Sequence, residues 1–159
     1  MEPRIDYQKA LPQEALRAFY QVEHAVHKSG LDAKLLHLIK MRASQLNGCA
    51  FCLDMHSKDA RLVGETEQRL YGLSAWRETP YYTDRERAAL EWTEAVTLIS
   101  RDQAPDDVYE RTRQFFNESE FAALTLAAVM INNWNRIAIS FRAVPGSYEP
   151  PPAAKKSQA

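Results

Sequence analysis

The segment from Phe121 to Ile139 restricts the choice of fold more than any other part of the chain. Phe121, Leu124, Ala127, Ala128, Met130, Ile131, Trp134, Ile137 and Ile139 surround a helical axis instead of marking one stripe. A helix that is apolar all round holds its place only when other elements cover most of its sides. In a chain of 159 residues two arrangements meet that demand: a central core helix in a monomer, or a helix that meets a second subunit.

The other segments repeat at the same helical period. A first helix begins near Pro12, carries Ala15, Leu16, Phe19, Val22 and Val26 on one face, and stops at Gly30. Asp32 can cap a second helix, with Leu31 and Leu36 stapled across the cap; it runs to Leu46 and breaks at Asn47-Gly48. A third starts around Cys49 and ends before Gly64, and a short piece covers Glu67 to Tyr71. Thr83 and Glu86 form a capping-box pattern for a helix to about Ser100, and Asp106-Asp107 opens another. Ser119 is the expected cap of the last helix, from Glu120 to about Phe141. No alternating β pattern competes, and an apolar content of 45% suffices for one core. The expectation is an all-α single domain over residues 1–145, followed by a loosely ordered tail at 146–159, where Pro150-Pro151-Pro152 and Lys155-Lys156 lie.

Charge excludes some partners. A formal net charge of −1, with basic residues scattered among acids, gives no reason to expect nucleic acid or anionic lipid. No stretch approaches the ~18 uninterrupted apolar residues of a membrane-spanning helix. The N-terminus is charged from Glu2 onward and carries no apolar signal core, so a cytoplasmic location is the expectation.

Chemistry concentrates in Asn47-Gly48-Cys49-Ala50-Phe51-Cys52-Leu53-Asp54-Met55-His56. The two cysteines of the chain lie three residues apart, a spacing unlike that of a disulfide-stapled secreted fold. At a helix N-terminus, free N–H groups and the macrodipole favour a thiolate. Cysteines one turn apart there can close a disulfide with little backbone movement. His56 falls at i+4 from Cys52, and helical side chains lean toward the N-terminus, so its imidazole leans back toward the Cys52 sulfur. A base so placed can take a thiol proton and return it to a leaving group. Two other readings fit the same residues. The cysteines can be small buried apolar residues beside a hydrogen-bonded histidine. Alternatively, His24 and His27 on the first helix can join the cysteines in a Cys2His2 zinc set, although structural zinc belongs to core-poor modules and this chain has an ample core.

The run from Leu38 through Met41-Arg42-Ala43-Ser44-Gln45-Leu46-Asn47-Gly48-Cys49-Ala50-Phe51-Cys52 to His56 and Ala60-Arg61 closely resembles the AhpD-like alkylhydroperoxidase branch of the carboxymuconolactone decarboxylase family. Gly64-Glu65, Leu73 to Glu78, Thr83 to Glu86 and Asn132 to Arg136 extend the resemblance over about residues 5 to 145. It implies an all-α fold assembled into trimers or hexamers, working without a cofactor as a peroxide-reducing dithiol. By the family pattern Cys52 is the peroxidatic residue and becomes a sulfenic acid, Cys49 resolves it as a disulfide, and His56 relays protons. An external dithiol, in the best-known members a lipoyl-bearing protein, then restores the thiols. Members lacking the cysteine pair are lactone decarboxylases, and the presence of both cysteines argues against that activity here. A thiol redox sensor with little turnover is the alternative within the same chemistry.

Two positions depart from the pattern. The family's relay glutamate, twelve residues before the first cysteine, is His37 here, and the histidine that founding members carry before the second cysteine is Phe51. His37 can substitute as a proton relay with an ordinary value of about 6.5, or serve as a helix residue without that role.

Overall fold

A computed structural model describes residues 1–150, and every regular element among them is helical. In chain order these are α1 (Tyr7–Ala10), α2 (Gln13–His27), α3 (Ala33–Asn47), α4 (Ala50–Leu62), α5 (Glu67–Gly72) with a 3₁₀ turn at Leu73–Ala75, α6 (Asp84–Thr97), α7 (Ile99–Asp102), α8 (Asp106–Arg113) and α9 (Glu118–Phe141). Helix α9 is the axis of the fold, touching α2, α3, α4, α6 and α8. The demand made by its apolar circumference is met by other helices over most of its surface. Leu124, Ala127, Ala128, Met130 and Ile131 are buried, while Leu126, Val129 and Ile139 stay exposed.

The main core joins four of these helices. Val26 of α2, Leu35, Leu36 and Ile39 of α3, Ala89 and Trp92 of α6, and Leu124 and Ala128 of α9 form one cluster. Each large aliphatic side chain removed from water there contributes roughly 1.5–3 kcal/mol. Leu31 and Leu36 both enter the cluster, as the staple across the Asp32 cap requires, and Asp32 accepts a hydrogen bond from the Leu35 N–H at 3.1 Å. A second cluster, with Leu38, Leu70, Leu73, Trp76 and Leu90, closes the other side of α3. Helix α3 is therefore buried on opposite flanks, which explains a sequence with apolar residues at Leu35, Leu36, Leu38, Ile39 and Met41.

Three boundaries differ from the sequence reading. The cap of α9 is Asn117 rather than Ser119: its side chain accepts from the Glu120 N–H, and Glu120 accepts in return from the Asn117 N–H. That reciprocal pair satisfies two otherwise unpaired donors, an advantage a cap at Ser119 lacks because Glu120 would sit too near. The helix capped by Thr83 ends at Thr97 instead of near Ser100, and a separate turn, α7, follows. Gln103 and Ala104 then adopt left-handed backbone angles, φ 55° and 50°, to redirect the chain into α8. Thirdly, part of the expected loose tail is anchored. The Gly146 N–H donates to Asp54 and the Tyr148 hydroxyl to Asp59, both on α4. Residues 151–159 of that tail lie outside the described range.

Candidate active site

The turn that presents the cysteines is built by α3, α4 and α9 together. Helix α3 closes on Gly48, whose φ of 70° is left-handed and strained for any residue with a Cβ. Asn47 donates to Asn132 Oδ1 at 2.9 Å and Asn135 Oδ1 at 2.8 Å, and Asn135 donates onward to Ser44 Oγ at 3.0 Å. These amides tie the end of α3 to the buried axis helix, so the next residue starts from a fixed point. That residue, Cys49, is the cap of α4, and its sulfur accepts from the Cys52 N–H at 3.3 Å. Cys49 and Cys52 are joined in a disulfide with Cα atoms 5.4 Å apart. Both are almost wholly buried, at 1% exposure.

Cys52 forms part of the wall of a cavity of about 540 Å³, and Cys49 stands outside that lining. Phe51, Met55, Ile131 and Trp134 supply apolar wall, and Tyr7 and Tyr20 come from the N-terminal helices. Tyr20 and Phe19 pack on Trp134 with ring centroids 5.4 and 5.6 Å away, fixing α2 against α9 at this point. His56 and His37 line the same cavity with ring centroids 6.0 Å apart, and His27 follows 6.3 Å beyond His37. Of the four site residues read from the sequence, Cys52, His56 and His37 thus face one space, with Cys49 bonded behind it. The Cys2His2 set is not assembled, since the two sulfurs bond each other and His24 is exposed on α2.

Three charged residues at this site went unrecognised in the sequence. Lys40 is 2% exposed and donates to Glu23 of α2 and to His27 Nε2, the latter at 3.0 Å. Burial raises the Glu23 carboxyl, but the hydrogen bonds and charges of His27 and Lys40 outweigh it and hold the group at about 2. Asp59 is the third, with Oδ2 at 3.9 Å from His56 Nδ1 and Oδ1 bound by Tyr148. One signal for this cluster was readable: Lys40 interrupts the buried run Leu38-Ile39-Lys40-Met41, and a buried lysine requires an anionic partner. Which acid would supply it depends on how α2 crosses α3.

Burial decides the state of the histidines. His37 is lowered to about 4, first by desolvation and then by the charges of Lys40 and His27. His56 lies well below its ordinary range for the same leading reason, with Lys40 and His37 adding to it. Both rings are therefore neutral near pH 7 and carry a lone pair. The sequence reading placed the change in His37 near 6.5, an exposed value that burial removes.

Fold and site together define an all-helical protein with a CxxC disulfide seated at a helix N-terminus, its Cys52 lining an apolar cavity. The chain belongs to the carboxymuconolactone decarboxylase family, whose model matches residues 13–95, and within it to the AhpD-like branch. The uncharacterized protein YdfG of Bacillus subtilis is 44% identical over 140 residues, covering 88% of this chain and 95% of YdfG. A crystal structure from Agrobacterium tumefaciens, of a protein of unknown function assigned to AhpD antioxidant defence, is 47% identical. It superposes with a TM-score of 0.88, covering 92% of this chain and all of that one (100%). The debrominase Bmp8 shares the fold with a TM-score of 0.70 at 16% identity, covering 82% of this chain and 70% of Bmp8. At least one bearer of this scaffold is therefore an enzyme.

Proposed function

We propose that the protein reduces organic hydroperoxides by a dithiol–disulfide cycle at Cys52 and Cys49. The observation that carries this reading is that Cys52, the cavity-facing partner of the disulfide, shares an apolar space with the neutral imidazole of His56. In the reduced protein His56 takes the Cys52 proton as the thiolate forms beside it, the new negative charge offsetting the burial that otherwise keeps the ring neutral. The N-terminus of α4 stabilises the thiolate. The thiolate attacks the terminal oxygen of the hydroperoxide, the O–O bond breaks, and the proton on His56 goes to the leaving alkoxide as an alcohol. Cys52 is left as a sulfenic acid. Cys49 then attacks that sulfur, water leaves, and the disulfide forms. An external dithiol, for which a lipoyl-bearing protein is the model, exchanges with the disulfide and restores both thiols. His37 relays protons between His56 and the cavity. A reducing, cytoplasmic setting suits this cycle.

Near-complete burial of both sulfurs favours a second reading, in which a bulky reductant reaches the disulfide slowly and the site works as a redox sensor. Steady-state consumption of cumene hydroperoxide with dihydrolipoamide separates the two. Sustained turnover at micromolar substrate supports the enzyme, and a single turnover followed by arrest supports the sensor. We further propose that the exposed side chains Leu126, Val129 and Ile139 of α9 meet a second copy of the chain in a homo-oligomer, a trimer or hexamer.

A further inference from the structure

We propose that His37, His56 and Asp59 form a binding site for a divalent transition-metal ion of the zinc type on the wall of the cavity. Ligand-capable atoms of these three residues lie within 4.8 Å of one another, and no other such group occurs among the described residues. His56 and Asp59 are three apart on α4 and so share a face, while His37 approaches from α3. The 3.9 Å between His56 Nδ1 and Asp59 Oδ2 is too long for a hydrogen bond. It is close to the ~3.3–4.2 Å separating two atoms that share one ion at about 2.0–2.1 Å each.

An independent observation points the same way. Nδ1 of His37 and Nδ1 of His56 are both buried and have no hydrogen-bond partner, although each residue is only 6% exposed. Buried polar atoms without partners are rare, and a missing ion is one of the few ordinary explanations. Burial favours the neutral ring, which is the form that donates a lone pair to a metal. The Tyr148 hydroxyl at 2.7 Å from Asp59 Oδ1 fixes the carboxylate as outer partners of metal ligands do, leaving the other oxygen free. Lys40, although paired with Glu23, still bears on both rings, so Asp59 is the member of the set whose charge favours a cation. Two nitrogens and one oxygen suit zinc or its neighbours and leave a coordination position open to the cavity.

An ion there would occupy the lone pair with which His56 accepts a proton, so metal binding and peroxide turnover would compete. That consequence rests on the peroxide reading, whereas the site itself does not. The test uses the oxidised full chain, with the disulfide intact so that no thiol can bind, stripped with EDTA and titrated with Zn²⁺ by calorimetry. We expect one Zn²⁺ per chain, affinity reduced at least tenfold in Asp59→Asn and in His37→Gln, and no change in His24→Ala. Circular dichroism checks that each variant is folded, and Asp59→Asn, at a half-buried position, keeps the test decisive if His37→Gln fails to fold. Absence of binding in the wild type, or equal binding in Asp59→Asn, overturns the site. Zinc binding without peroxide consumption leaves the site standing and removes the peroxide reading, while peroxide consumption without zinc binding does the reverse.

Discussion

Lys40 shows how one residue couples stability to the site. Its ammonium is inside the protein only because Glu23 and His27 receive it. Removing one member of a buried pair strands the other, at a cost of roughly 3–5 kcal/mol, whereas removing both costs far less. Lys40→Met should therefore lower unfolding stability by about 3 kcal/mol in urea, discounted for the partial exposure of Glu23, and Glu23→Gln added to it should recover most of that loss. Equal losses in the single and double variants would mean that the pair is not coupled. At this scale the sequence was most legible where residues are neighbours in one helix, as in Cys49, Cys52 and His56. It was least legible where α2 meets α3. Glu23 and Lys40 are 17 positions apart, and no local pattern joins them.

Elements were readable wherever a cap and a period agreed. Asp32 and the Thr83–Glu86 box act as the sequence indicates, with both directions of the box formed. The four-residue helices α1 and α7 were missed because a single turn has no repeat to detect. The start of α9 was misplaced by two residues because Ser119 and Asn117 are both good caps, and only the partner three residues on distinguishes them. Asn117→Ala should cost about 1 kcal/mol of stability and Ser119→Ala less than about 0.5 kcal/mol. A larger loss at Ser119 would restore the sequence reading. The turn before α4 offers a similar check: Gly48→Ala should cost roughly 1 kcal/mol, since φ is 70° although the space beside it is open.

At the scale of the whole molecule, the buried histidines make stability depend on acid. The folded value of His37 is about 4 against an ordinary 6.5, so below 6.5 the unfolded chain takes up a proton that the folded chain refuses. Stability should be level above about 6.5 and fall as the pH drops toward 4, with His56 adding in the same direction. Glu23 extends the loss, because its stabilising charge is complete above about 4.5 and disappears toward about 2. Urea midpoints measured in EDTA should show the first decline between pH 6.5 and 4 and a shallower one in His37→Gln; a flat profile across that window would contradict the buried, neutral histidines. Assembly is testable on the same sample. Because Ile131 is 1% exposed, a charge there would disrupt the monomer itself, whereas Val129 is 39% exposed and reports on contacts between copies. Val129→Asp should lower the mass seen by light scattering while leaving the helical signal intact; a wild-type mass equal to one 18.2 kDa chain would remove the proposed interface.

The dithiol cycle is tested most directly by counting thiols. The fully reduced protein carries two, and one equivalent of cumene hydroperoxide should bring that number to zero. Mass mapping should then find Cys49 linked to Cys52 within one chain. In Cys49→Ser the same equivalent should leave a trappable sulfenic acid on Cys52, whereas Cys52→Ser should consume no peroxide. Two thiols persisting in the wild type, or the sulfenic acid appearing on Cys49 in Cys52→Ser, would contradict the assignment of Cys52 as the residue that meets the peroxide.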